Sequence, residues 1–291
     1  MIRITDWGVS ATRPSRLAGL LALASLLTGC SSLTRQILYS PGRPPTKIDA
    51  SVSSPSMVTA RTNDGLALKG YFWPGGADDP DVIIFFHGRN WTAGRGAETA
   101  RPLADGQNSL LVASYRGFDD NPGKPTEEGL VADAHAFIRL AIELAGPDAR
   151  IWLIGHSLGA AVALHAASSD THVRGVFLLS AFARVTDAVP RMAQSLVPDA
   201  WDNLAAMSHW SGPVIIVQGG LDRFIPTSSG DELFSARRGP ASLIVGSESR
   251  HNPDMKRLSP WLNEAIANME HGSLTNLPSP PPGWIEKVRQ P

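Results

Sequence analysis

Apolar residues follow two rhythms along this 291-residue chain. From Met57 to Tyr71 they alternate with polar residues on either side of Asn63-Asp64-Gly65. That pattern predicts a β-hairpin with strands over Met57–Arg61 and Leu66–Tyr71. Farther on they form runs: Val82–Phe86, Leu110–Ala113, Ile151–Ile154, Val173–Leu179, Val214–Val217 and Leu243–Val245. Short apolar runs bounded by turn formers suit strands covered on both faces. Between them Leu130, Ala134, Phe137, Ala141 and Leu144 recur with helical period, starting near Thr126. Glu127 and Glu128 fall in the first turn, where the helix dipole favours acids. The stretches 160–164, 227–238 and 254–270 also read as helices. Strands alternating with helices predict an α/β fold with a mostly parallel central sheet, helices on both faces and the hairpin as an antiparallel edge. Chemistry in such sheets gathers at the carboxyl ends of the strands.

The ends of the chain read differently. Arg3, Arg13 and Arg16 precede the uncharged apolar run Leu17–Leu27, which is short for a membrane-spanning helix and suits a signal-peptide core. The run ends in Leu27-Thr28-Gly29-Cys30, which resembles a bacterial lipobox whose cysteine is lipidated. Cys30 is the only cysteine, so no internal disulfide can form. Residues 1–29 therefore read as a lipoprotein signal peptide and 30–55 as a Ser/Pro-rich tether, within which Gln36–Tyr39 is apolar enough to touch the body. Residues 56–271 read as one domain, and 272–291 as a Pro-rich tail in which Trp284 and Ile285 are candidates for docking. The resemblance implies a lipid-anchored protein of the bacterial cell envelope, and Ser31 after the cysteine points to the outer membrane.

Charge narrows the partners. Loss of residues 1–29 leaves 23 basic and 26 acidic residues, net −3. No basic field draws nucleic acid, so a membrane contact would come through lipid attachment.

The strongest chemical signal is Gly155-His156-Ser157-Leu158-Gly159, between an apolar run and a helix-forming stretch. A serine on a sharp strand-to-helix turn presents its hydroxyl to a cleft, and flanking glycines permit the tight turn. The bland alternative is a glycine-rich turn with a serine helix cap. A nucleophilic serine needs a base, and the base an orienting acid. Asp222 follows the run Val214–Val217, ahead of the rivals Asp231 and Glu248. His251 follows Leu243–Val245, ahead of His271. An oxyanion needs preorganised donors. The backbone N–H of Leu158 is one candidate, and that of Arg89, in the loop after Val82–Phe86, is the other, with Asn90 as alternative. His87 reads as a structural loop histidine.

Taken together, Tyr39–Pro45, His87-Gly88, Tyr115-Arg116-Gly117-Phe118, Gly155–Gly159, Gly219–Pro226 and His251-Asn252 resemble the α/β-hydrolase superfamily from about 57 to 270. Within it they are similar to the small-lidded, serine aminopeptidase-like branch. The resemblance implies an α/β-hydrolase fold with Ser157, Asp222 and His251 as its triad, and a short lid over 181–212. That lid holds Phe182, Val185, Val189, Met192, Leu196, Val197, Trp201, Leu204, Met207 and Trp210, suited to line an acyl pocket or to pack inward. The chain departs from the branch at Ser114, where an aspartate is common, at Asp119 after the aromatic, and at the bulky Arg89-Asn90-Trp91.

The expectation is a serine hydrolase that cleaves small-molecule carboxylic esters through an acyl-enzyme, with no metal or organic cofactor. An accessible cleft for short or medium acyl groups is expected. Amidase, peptidase, thioesterase, lysophospholipase and acyltransferase chemistry use the same machinery. The contrasting class is a non-catalytic envelope lipoprotein keeping the fold as a binding module.

Overall fold

The computed structural model describes residues 35–36, 38–40, 55–76, 79–105, 107–188, 194, 197, 199–269 and 274–289. The expected signal peptide, Cys30, Ser31 and the lid residues Val189, Met192 and Leu196 lie outside the described residues. No helix among the described residues is long and apolar enough to cross a membrane.

The strands are β1 (Ser56–Arg61), β2 (Ala67–Trp73), β3 (Asp81–Phe86), β4 (Ser109–Ala113), β5 (Arg150–His156), β6 (Val173–Leu179), β7 (Val214–Gly219), β8 (Ala241–Gly246) and β9 (Trp284–Arg289). They form one nine-stranded sheet in the order β1-β2-β4-β3-β5-β6-β7-β8-β9. Strands β3 to β8 pair in parallel, while β1-β2, β2-β4 and β8-β9 are antiparallel. Gly65 turns the first hairpin at φ 87°, a left-handed conformation that suits a residue without a side chain.

Why the central runs are continuously apolar is visible in where each residue points. Val82, Ile84 and Phe86 of β3 enter one core, and Ile83 and Phe85 the other. Leu111 and Leu110, Leu153 and Trp152, and Ile216 and Ile215 divide the same way. Two helices cover the first core: α2 (Glu127–Ala145) and α3 (Leu158–Ala167). The second core lies under α1 (Ala93–Ala100) and α6 (Met255–Asn268). The shorter α4 (Asn203–His209) and α5 (Thr227–Ala236) complete the first layer.

Helix α2 starts where the acids and threonine predict. The Thr126 hydroxyl accepts the Gly129 N–H at 3.0 Å, and Gly146 closes the helix at φ 97°. Of its five periodic apolar residues, Leu144 alone is exposed, because it lies in the last turn beyond the sheet.

In two regions the structure selects among the forms the sequence allowed. The proline-rich tail contributes the edge strand β9, antiparallel to β8. Its polar residues find distant partners: Ser242 Oγ donates to Glu286, Lys287 pairs with Asp231 at 2.6 Å, and Arg289 donates to the Phe234 carbonyl. The lid region packs inward: Phe182, Val185, Trp201, Met207 and Trp210 are all buried in the first core. The preceding segment is fastened to it. Arg35 forms a two-pronged ion pair with Asp199 (2.9 and 3.2 Å), and Trp201 Nε1 donates to the buried Tyr39 hydroxyl at 2.9 Å.

One buried carboxylate ties β3 to β5. Asp81 accepts both prongs of Arg150 (2.7 and 2.5 Å) and the Trp152 indole N–H (2.7 Å), and it is 3% exposed. Asp81→Ala leaves a buried indole N–H without its acceptor and removes the two-pronged carboxylate from the Arg150 guanidinium. The expected loss is about 3 kcal/mol of unfolding free energy, read from urea denaturation. A loss below about 1 kcal/mol would mean that water replaces the carboxylate without penalty.

Candidate active site

Ser157 is the residue between β5 and α3, and its backbone is held at φ 54°, ψ −114°. A non-glycine residue at positive φ is strained, and strain of this kind survives where the surroundings over-determine it. Here they do. The Ser157 N–H donates to the Leu179 carbonyl at 2.9 Å, and its own carbonyl accepts the Ala160 N–H at 3.0 Å. A Cβ at Gly155 would collide with the Gly159 carbonyl, and one at Gly159 with the Phe86 carbonyl. The helix thus starts pressed against the ends of β5 and β3, and Ser157 is turned out of the sheet.

The parallel register brings the other loops to the same end. His156 pairs with Leu179, Leu179 with Val217, and Gly219 with Gly246. Asp222 follows β7 and His251 follows β8, so both reach back to Ser157. His251 Nε2 lies 3.2 Å from Ser157 Oγ, and His251 Nδ1 lies 2.8 Å from Asp222 Oδ2. Because a carboxylate only accepts, the proton sits on Nδ1, which leaves Nε2 as the acceptor facing the hydroxyl. Asp222 Oδ1 accepts the N–H groups of Phe224 (2.8 Å) and Ile225 (3.0 Å). Burial pushes the Asp222 carboxyl up. The hydrogen bonds from His251, Ile225 and Phe224 outweigh that and hold it below the usual carboxylate range. The three residues form a relay able to withdraw a proton from the serine hydroxyl.

The remaining predicted residues fall as follows. Leu158 opens α3, where the first backbone N–H groups have no acceptor within the helix. Arg89 stands in a turn after β3 closed by Trp91 N–H to the Gly88 carbonyl at 3.1 Å. This loop abuts the serine turn, because a Cβ at Gly88 would come within 3.0 Å of His156 Nδ1. The Arg89 side chain is exposed. His87 is fully buried, its Nδ1 lies 2.9 Å from the Gly88 carbonyl, and its ring packs against Tyr115 and Phe118. Burial pushes its pKa down, as a structural histidine requires. Asp119, at φ 47°, accepts from Ser114 Oγ (2.6 Å) and the Ala93 N–H (2.7 Å). An acid five residues on thus supplies a carboxylate beside Ser114.

A family model described as "Serine aminopeptidase, S33" matches residues 78–205. The uncharacterized protein MT2364 of Mycobacterium tuberculosis is 30% identical over 241 residues, covering 80% of this chain and 85% of that protein. The chain belongs to the α/β-hydrolase family. Solved structures share the hydrolase's fold. Esterase Pf2001 of Pyrococcus furiosus matches with a TM-score of 0.63 at 18% identity, over 78% of this chain and 95% of that one. Est1E of Butyrivibrio proteoclasticus, solved with ferulic acid, matches with a TM-score of 0.57 at 18% identity, over 72% and 96%.

Two residues of the hydrolase's site escape sequence reasoning. His156 Nε2 (2.8 Å) and Ser180 Oγ (2.7 Å) both donate to the His251 backbone carbonyl. They fix the histidine's main chain from β5 and from the end of β6. Burial, helped by the nearby His251, pushes the His156 pKa down to about 3, so this donor stays neutral. The Trp91 ring stacks on His156 at 4.6 Å, and Arg95 lies 4.9 Å over Trp91. His156 was visible as the second letter of the serine motif. Ser180, at φ 51°, was visible only as a residue ending an apolar run.

A second serine, histidine and aspartate meet in a cleft of about 420 Å³ distant from Ser157: Ser169 Oγ lies 3.1 Å from His135 Nε2, whose Nδ1 lies 3.4 Å from Asp170. Ser169 lies just past the carboxyl end of α3, where exposed carbonyls repel a developing oxyanion. Backbone context therefore separates the two serines. Among the described residues, no group of three or more His, Cys, Asp and Glu side chains is arranged to hold a metal ion.

The lowered Asp222 value has a consequence for stability. A carboxyl depressed by folding contributes stability that is present above its unfolded pKa, about 3.9, and is lost as pH falls through the lower folded value. Asp222→Asn is expected to cost about 1–2 kcal/mol near neutral pH and progressively less below about pH 4. Urea titrations of both proteins at the two extremes check this. A gap that stays constant would assign the cost to shape rather than charge.

Proposed function

We propose that this chain is a serine esterase acting on carboxylic esters. The observation that carries the reading is the relay from Ser157 Oγ to His251 Nε2 at 3.2 Å and from His251 Nδ1 to Asp222 at 2.8 Å, built on a serine held at φ 54°. Ser157 Oγ attacks the acyl carbonyl while His251 Nε2 takes its proton, and Asp222 stabilises the imidazolium that results. The backbone N–H groups of Leu158 and Arg89 hold the oxyanion. Collapse expels the alcohol, which receives the proton from His251. Water then enters and gives a proton to the same nitrogen as its oxygen bonds the acyl carbon. The bond to Ser157 Oγ breaks, the serine takes the proton back from His251, and the acid leaves.

The test is hydrolysis of nitrophenyl esters of increasing acyl length by the mature domain, beside Ser157→Ala. Turnover on the shorter esters is expected, with a loss of about ten-thousand-fold in the variant. Fluorophosphonate labelling confined to Ser157 is the companion readout. A folded protein with no turnover above the variant would move weight to a binding module.

A second reading, an aminopeptidase, is favoured by the family description matched at residues 78–205. Aminoacyl nitroanilides distinguish it: turnover of these above the corresponding esters would replace the esterase reading.

The Leu27–Cys30 tetrad supports lipid attachment at Cys30 and an envelope location. Mass spectrometry of protein expressed in a double-membraned bacterium is expected to find a diacylglyceryl group on an N-terminal Cys30. Release of Cys30→Ser into the soluble fraction is the expected companion result, and an unmodified cysteine in the native protein would refute attachment.

A further inference from the structure

Phe224 is the most exposed of the large apolar side chains among the described residues, at 73%. Single exposed apolar residues are ordinary on protein surfaces and by themselves signify little. Phe224 differs because it is fixed against the proposed machinery. Its backbone N–H donates to Asp222 Oδ1 at 2.8 Å, so the carboxylate that orients His251 also sets the backbone of Phe224. Its ring meets the His251 imidazole edge-on, with centroids 5.2 Å apart and planes at 62°. The other ring beside His251, that of His156 at 5.0 Å, is buried and closed to any ligand. Among the described residues Phe224 is thus the aromatic face beside His251 that a substrate can reach; Leu221, three residues earlier, is also exposed, at 52%.

We propose that Phe224 is a specificity-determining residue that contacts the alcohol portion of the ester, and that the preferred substrates are esters of bulky apolar or aromatic alcohols. The inference rests on the esterase reading of Ser157. In the acylation step the bond from Ser157 Oγ to the acyl carbon forms, and the bond from that carbon to the alcohol oxygen breaks. The proton taken from Ser157 passes from His251 Nε2 to the departing oxygen, so an ester and the serine hydroxyl become acyl-serine and free alcohol. For that transfer the alcohol oxygen must come within about 3 Å of Nε2. The first carbons of the alcohol therefore lie beside the imidazole, where the Phe224 ring stands. The acyl chain instead extends from the carbon bonded to Ser157 Oγ, and the alcohol departs on the histidine side. An aromatic ring offset against an exposed phenyl group also gains the geometry that aromatic pairs favour, beyond the apolar area it covers.

The experiment holds the acyl group constant and varies the alcohol: methyl, butyl and benzyl acetate, with hydrolysis followed by acid release, for wild type, Phe224→Ala and Phe224→Leu. Methyl butanoate and methyl hexanoate form the acyl series. Wild type is expected to favour benzyl over methyl acetate by about tenfold in kcat/KM, and Phe224→Ala to abolish that ratio. Phe224→Leu, which keeps an apolar surface, is expected to retain the butyl preference and lose the extra benzyl preference. Because the bond to Asp222 comes from the backbone, neither variant removes it, and coincident thermal melting curves check that the fold is kept. An equal loss on every alcohol, or a loss that tracks acyl length, would overturn the assignment of Phe224 while leaving the esterase reading intact. An unchanged alcohol preference with weaker sedimentation on phosphatidylglycerol vesicles would overturn it too, by making the ring a membrane contact. Absence of hydrolysis of all these esters by the wild type would remove the esterase reading itself, and this inference with it.

Discussion

The site depends on one close approach: the first turn of α3 lies against the ends of β5 and β3 with no room for a β-carbon at Gly155 or Gly159. That contact holds Ser157 in a conformation it would not adopt alone, with φ 54° paid for by packing on either side. The serine hydroxyl is displaced from the sheet and toward the loops. Everything else at the site is arranged around this fixed point. Leu158 begins a helix at that serine, and the loop after β3 abuts the serine turn through Gly88 and His156.

The parallel sheet supplies the second requirement, which is convergence. Asp222 and His251 are 29 residues apart in sequence and 2.8 Å apart in space, because β7 and β8 run side by side and end at the same level. His251 sits on a loop, yet its backbone carbonyl is held by donors from β5 and from the end of β6. A loop residue fixed by rigid strands keeps its side chain oriented without an element of its own. The cost falls on His156, whose Nδ1 is buried without a partner among the described residues.

The parallel strands were legible because each is buried on both faces, and burial writes unbroken apolar runs into sequence. Ser157, Asp222 and His251 were legible as positions because each follows such a run. Helix α1 was not. Its sequence, Ala93-Gly94-Arg95-Gly96-Ala97, has little helical propensity, and Gly96 is there because it packs under His87 and Val112. Strand β9 was hidden behind prolines, and its partners Asp231, Ser242 and Phe234 are far away in sequence. His156 and Ser180 were visible as residues but not as donors to the His251 carbonyl, because a backbone acceptor is the same at every residue. Asp119 illustrates a further limit. A carboxylate beside Ser114 came from five positions later, through a backbone bend at φ 47°.

Strand β9 also sets the order in which the molecule can be completed. Its residues, Trp284–Arg289, follow every other described element, and they pair with the whole length of β8. During synthesis on the ribosome, β8 therefore waits with one edge bare while the proposed catalytic residues have already emerged. A bare edge is a template for the wrong strand. The prolines at 278 and 280–282 stiffen the approach of β9 to that edge, and Trp284 lands on Gly246, where the absence of a side chain leaves room for its ring. That edge is thus closed only after the residues of every other described element have been made.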